Sequence, residues 1–318
     1  MDKVESFPLA HRPTRRAVIA GGVGISTVLL PAVARAASGG ELAPAETTTT
    51  TVDPGSGTPL PAASTWTSRA DAADLGWNSV TYGEGTFVAV ANSGTGNRVM
   101  TSPDGSTWTS VSATDNSKAW KSVAYGNGVF VAVQSGSGNQ VMTSPDGATW
   151  TSVSTGLVQN SWIALTYGTN GFVAVAQSGG IMSSPDGTTW TSRTSPGGGN
   201  QWTSITFGNG LYLAMGNSTG TAGMRAATSA NGSTWSSVSY GLNPVYGDDD
   251  SWRTVTFGEG VFVALGYSYA LVRDQAGTWT FVEHYKNQFW NSVVHGNGLF
   301  AAVAGDGTDR VMTSPDGT

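Results

Sequence analysis

From Ser64 to Thr318 the chain repeats one pattern of short apolar runs broken by turn-forming residues. In its clearest copy, Trp120–Gly126 (WKSVAYG) predicts a first strand and Val129–Ser135 (VFVAVQS) a second, joined across Gly126-Asn127-Gly128. Asn-Gly favours the positive φ values of a primed hairpin turn, and the pair recurs at Asn209-Gly210 and Asn297-Gly298. Gln140–Ser144 (QVMTS) predicts a third strand, and a fourth (TWTSVS) begins at Thr149, after the turn Pro145-Asp146-Gly147. Pro presets φ at the first corner, Asp folds its carboxylate back onto backbone N–H groups, and Gly takes the left-handed position. The second strands read FVAV at Phe87–Val90, Phe130–Val133 and Phe172–Val175, without polar alternation. Both of their faces are therefore expected to be buried between neighbouring sheets.

The turn motif fixes the period. It reads SPDGSTWTS at Ser102–Ser110, SPDGATWTS at Ser144–Ser152, SPDGTTWTS at Ser184–Ser192 and SANGSTWSS at Ser229–Ser237. The tryptophans that end it stand at 66, 108, 150, 190, 235 and 279, and a second set stands at 77, 120, 162, 202, 252 and 290. A period of about 40–45 residues with four short strands is the signature of β-propeller blades. The fold expected is all-β, a propeller of six four-stranded blades. The repeat region opens on a fourth strand, Ser64–Ser68 (STWTS), and stops at Ser314–Thr318 (SPDGT), just before another is due. The N-terminal strand is thus expected to close the last blade; the alternative is a fragment of a larger propeller.

Composition agrees with strands and tight turns: 44 Gly and 12 Trp, with only 11% charged residues. No cysteine is present, so disulfides, thiolate metal sites and a cysteine nucleophile are excluded. Residues 1–36 read as an export signal, with a basic region ending at Arg15-Arg16, an apolar run Ala17–Ala34 and a small-residue cleavage pattern ending at Ala36. The paired arginines before Ala17-Val18-Ile19 resemble a twin-arginine signal, so a periplasmic or extracellular location is expected, with no stable membrane insertion after cleavage. Residues 37–63, with five threonines at 47–51 and prolines at 44, 54, 59 and 61, read as an extended linker; 64–318 form the propeller. Beyond Ala36 ten basic side chains face nineteen acidic ones, which argues against a nucleic-acid partner.

SPDGxTW resembles the Asp-box, the bacterial neuraminidase repeat of sialidase-like propellers, in a compact form with Asp and Gly adjacent. In that family the boxes lie at the hairpin of the third and fourth strands, away from the catalytic face. The resemblance therefore implies structural roles for Asp104, Asp146, Asp186, Asn231 and Asp316. The family's catalysis needs three arginines, a tyrosine nucleophile with a glutamate and an aspartate acid/base, and its members usually show an Arg-Ile-Pro signature near the start of the propeller. The mature chain lacks that signature, so no catalytic residue is assigned.

Aligned third strands place Arg98, Arg225 and Arg310 at one repeat position, where guanidinium groups suit an anionic ligand. Two connections stand out among short Gly/Ser/Asn loops: Ser239–Ser251, with Tyr240, Tyr246, Asp248, Asp249 and Asp250, and Val282–Phe289, with Glu283, His284 and Tyr285. Aromatics beside carboxylates suit a carbohydrate or a peptide. Three consecutive aspartates lack the alternation of a Ca²⁺ loop, and no metal or other cofactor is expected. The function expected is a secreted, non-enzymatic binding or scaffold module for extracellular glycan or protein. The alternatives are a sialidase-like or other propeller glycoside hydrolase, and an exported assembly or stability factor for a membrane complex.

Overall fold

The structure, a computed structural model, describes residues 68–318 apart from 137–140, 158–160, 197–199, 219–224, 242–250, 284–288 and 306–309. Six antiparallel sheets follow one another as blades of a propeller. Blades one to five each carry four strands in sequence order, and blade six carries three, ending at Val311–Ser314. Residues 64–67 of the expected closing strand lie outside the described residues, and Ser68 and Arg69 are exposed and in no strand.

Blade two shows why these residues form these strands. Its first strand, Trp120–Gly126, turns into the second, Val129–Gln134, through Asn127 at φ 49° and Gly128 at φ 76°. Both corner residues are left-handed, as a primed turn requires. Val131, Ala132 and Val133 are fully buried, so both faces of the second strand are covered as its pattern predicts. Val131 and Val133 pack toward blade three, while Phe130 and Ala132 pack toward blade one.

The SPDG turn works as a clasp. In blade two Ser144 Oγ donates to Asp146 Oδ1 at 3.0 Å, and the same oxygen accepts the N–H groups of Ala148 and Thr149 at 2.8 and 2.7 Å. Trp150 Nε1 then donates to the Gly147 carbonyl at 2.8 Å, which points its indole into the cluster shared by blades one and two. Blades one, three and four repeat this set around Asp104, Asp186 and Asn231, and Asp316 accepts from Ser314 Oγ and from Thr318 N–H.

First strands of successive blades pack side by side from blade one to blade six, so they line the centre. Two contacts repeat along that series. A hydroxyl near the head of one first strand accepts an N–H of the next: Ser79 from Val123, Ser122 from Leu165, Ser204 from Val255 and Thr254 from Val293, each at 3.2 Å. Near its tail, an aromatic side chain covers the glycine that ends the preceding blade's first strand: Tyr125 on Gly83, Tyr167 on Gly126, Phe207 on Gly168, Phe257 on Gly208 and His295 on Gly258. The junction from blade six back to blade one does not repeat either contact. Gly296 has open space above it, Tyr82 is 56% exposed, and Ser292 Oγ has no partner among the described residues.

Between blades five and six an apolar cleft of about 270 Å³ is lined by Val263, Leu265, Phe300 and Met312. Trp150, Trp190 and Trp235 pack into the corresponding clusters of the earlier blade pairs. Among the described residues no fourth-strand tryptophan joins the cluster shared by blades five and six.

Candidate functional site

A buried tryptophan stands at or near the start of each first strand: Trp77, Trp120, Trp162, Trp202, Trp252 and Trp290. In blades one, two, three, four and six the pairing register slips by one residue just after it. That slip is a β-bulge, which leaves one residue unpaired and re-aims its side chain. The extra residues are Asn78, Lys121, Ile163, Thr203 and Asn291, and Arg253 takes the equivalent place before the first strand of blade five. All six line one polar cavity of about 260 Å³ at the centre of the blades.

Two of these side chains are committed to the scaffold. Asn78 Nδ2 donates to the Lys121 carbonyl while its Oδ1 accepts from Asn92 Nδ2 at 2.6 Å, and Thr203 Oγ1 lies 2.6 Å from the Trp252 carbonyl. Lys121 and Arg253 are not committed in this way. Burial pushes the Lys121 ammonium below its ordinary pKa. The guanidinium of Arg253 lies 4.4 Å above the ring of Phe289.

Phe289 and Tyr267 form an aromatic pair beside Arg253, with ring centroids 5.0 Å apart and exposures of 43% and 39%. Tyr267 sits in the loop between the second and third strands of blade five, and Phe289 in the connection into blade six. These loop classes share the face on which first strands begin. The site is therefore a polar, cationic channel mouth with an aromatic shelf at its rim.

The residues singled out from sequence distribute differently. Tyr240 belongs to packing: Trp252 Nε1 donates to its hydroxyl at 2.8 Å, and its ring meets Trp252, Trp279 and Phe281. Arg98, Arg225 and Arg310 do share a repeat position, since their carbonyls accept from Ala91, Gly216 and Ala304, each at 2.9 Å. They stand at the third strands of blades one, four and six, two strands outboard of the channel. Arg98 shows what the position can do instead, donating to the carbonyls of Gly94, Ser117 and Lys118 and so tying blade one to the connection that follows it. Glu283 ends the fourth strand of blade five, is exposed, and borders the apolar cleft rather than the channel. Tyr246, Asp248, Asp249, Asp250, His284 and Tyr285 lie outside the described residues. Among the described residues no cluster of His, Asp and Glu is arranged to hold a metal.

The clasp aspartates have a distinct electrostatic signature. Asp146 is held down at about 2, chiefly by the Thr149 N–H, with the Ala148 N–H and the Ser144 and Thr149 hydroxyls adding to it against a smaller opposing effect of burial. In Asp186 burial pushes upward, and the combined hydrogen bonds from Thr189, Thr188 and Ser184 outweigh it. Two further brackets join neighbouring blades. The Tyr125 hydroxyl donates to Glu84 Oε1 at 2.6 Å, and burial together with that bond pushes Tyr125 up to about 12. His295 Nε2 lies 3.2 Å from Glu259 Oε1, within ion-pair distance though outside hydrogen-bond geometry. His295 thus fills the packing role of the aromatic residues at its repeat position.

The family model described as the DUF6242 beta propeller domain matches residues 102–244. Comparison with curated proteins gives no match. Among solved structures the chain is similar to virginiamycin B lyase from Staphylococcus aureus, at 10% identity and a TM-score of 0.63 over 76% of this chain and 85% of that one. It is also similar to YCF48 bound to D1 peptide, at 14% identity and a TM-score of 0.54 over 74% and 76% of the two chains. YCF48 from Cyanidioschyzon merolae aligns at 14% identity with a TM-score of 0.54, over 76% of this chain and 82% of that one. These likenesses establish the propeller fold.

Proposed function

We propose that this is an exported, non-enzymatic propeller that binds or scaffolds extracellular glycan or protein at the channel-mouth face. The supporting observation is the exposed Tyr267–Phe289 pair with Arg253 stacked against it. Rings presented in this way offer apolar area at low entropic cost, and the adjacent cation and amide orient polar groups of a ligand. The compared folds include both a lyase and a protein bound to a peptide, so the choice rests on the site rather than on the fold. The Asp-box resemblance supports the same assignment: the repeated carboxylates are consumed by the clasps and leave the channel mouth without an acid/base pair among the described residues.

The test uses protein recovered from the producing cell, with export predicting a chain that begins at Ala37. Screened on a glycan array, against extracellular protein fractions and with fluorogenic glycosides, it should bind without turnover. Tyr267→Ala combined with Phe289→Ala should weaken binding roughly tenfold or more. Turnover lost on Glu283→Ala would instead establish a glycoside hydrolase, and binding unchanged in the double variant would remove the aromatic pair from the site.

A further inference from the structure

Among the described residues two cations and no carboxylate line the channel cavity, in a protein whose net charge is −6. Lys121 lines the cavity from blade two and Arg253 from blade five, three blades apart. Neither side chain makes an ion pair or a hydrogen bond with any described residue. The backbone that carries Lys121 is fixed by the Asn78 amide on its carbonyl, and the Arg253 guanidinium rests over the Phe289 ring, 4.4 Å from its centroid. A guanidinium stacked on a ring keeps its in-plane N–H donors directed outward. Asn291, at the same bulge position in blade six, adds an amide to the lining.

Two like charges in a partly desolvated cavity raise the energy of the empty site, and an anion placed between them relieves both the repulsion and the desolvation. We propose that the channel mouth binds a small dianion of the dicarboxylate class, one carboxylate in the Arg253 fork and the other on Lys121. The cavity of about 260 Å³ suits a short-chain diacid. Because the cations sit on separate blades, a ligand with two separated charges satisfies both, where a monoanion satisfies one. Diacid binding in the cavity does not depend on which macromolecule the aromatic shelf takes.

The experiment is calorimetric titration of the full chain at low ionic strength with succinate, citrate, acetate and inorganic phosphate. Succinate or citrate should bind with saturation at one site, roughly tenfold or more tighter than acetate. Lys121→Met and Arg253→Gln should each weaken that binding by about tenfold. Lys121→Arg should largely retain it, and Lys118→Met, which alters a lysine paired with Asp115, should leave it unchanged. Added salt should weaken binding in the wild type. Urea unfolding of each variant separates loss of the site from loss of the fold, and Arg253→Gln carries the test if Lys121→Met is unstable. Absence of saturable succinate and citrate binding, equal affinity for acetate, or affinity unchanged in both single variants would overturn the proposal. Phosphate binding tighter than both succinate and citrate would overturn the dicarboxylate class and leave a compact-anion site.

Discussion

Gly126→Ala is expected to cost the propeller about 3 kcal/mol, at the upper end of what inserting one carbon into a packed interior does. A Cβ at Gly126 would lie 2.0 Å from Cγ of Tyr167, whose ring covers the glycine from the next blade. The obstruction is the root of an aromatic ring rather than the tip of a flexible chain, so relief requires the two blades to separate. That separation would also disturb the neighbouring bond from Leu165 N–H to Ser122 Oγ, because both contacts join the same pair of strands. Gly296→Ala is the matched control. It occupies the same repeat position, yet no described residue lies within 4 Å of its Cβ, and alanine there should change stability by less than about 0.5 kcal/mol. Urea titration monitored by tryptophan fluorescence gives both numbers. Equal losses in the two variants would show that the ring-on-glycine contact contributes nothing to cohesion between blades.

The contrast between those glycines shows which parts of the molecule could be read from sequence. Features set by local chemistry were legible. Asn127-Gly128 dictates its turn, Pro-Asp-Gly dictates the clasp, and the unalternating FVAV runs dictate strands buried on both faces. Features that depend on what a neighbouring blade supplies were not. Gly126 and Gly296 end strands of the same pattern, and only the packed structure separates the covered one from the open one. The packing of Tyr240 is illegible in the sequence for a related reason. An aromatic residue in a long connection has the same chemistry whether it stacks on a ligand or accepts the indole N–H of Trp252, and the second is what it does.

The channel ring is hard to read from sequence because it occupies the positions at which the repeats disagree. Its six members are the residues that follow the second set of tryptophans, and there the repeats differ: Asn, Lys, Ile, Thr, Arg, Asn, between a constant Trp and, in every blade but the third, a Ser or Thr. A bulge makes such variation cheap, since the extra residue forms no ladder contact that would restrict its identity. A variable position inside a fixed frame was therefore the available signal, and it marks the place where one blade can be given a task that the others lack.

The clasps predict the second large effect, and the chain already contains part of the experiment. Asn231 replaces the aspartate in blade four, yet its Oδ1 still accepts from Ser233 and Thr234 N–H, each at 2.8 Å. The geometry therefore needs the acceptor oxygen more than the charge. Asp146→Ala, which leaves the Ala148 and Thr149 N–H groups without their acceptor, should destabilise the protein by about 1–2 kcal/mol, whereas Asp146→Asn should lose a minority of that. The two variants part further with pH. Asp146 has its pKa lowered from 3.8 to about 2 by folding, so its charge contributes stability that is fully present above the unfolded value and lost as pH falls through the folded one. The asparagine variant has no such group to protonate. Its deficit against wild type should be greatest at neutral pH and shrink between pH 4 and 2, because the wild type loses there what the variant never had. Asp186, held low by the same kind of hydrogen bonds, should behave alike in blade three, and the pair Asp146→Asn and Asp186→Asn should flatten the acid limb more than either alone. Urea midpoints measured across that pH range decide the matter: parallel wild-type and asparagine curves would mean that the clasp carboxylates are no better stabilised in the folded protein than in the unfolded chain.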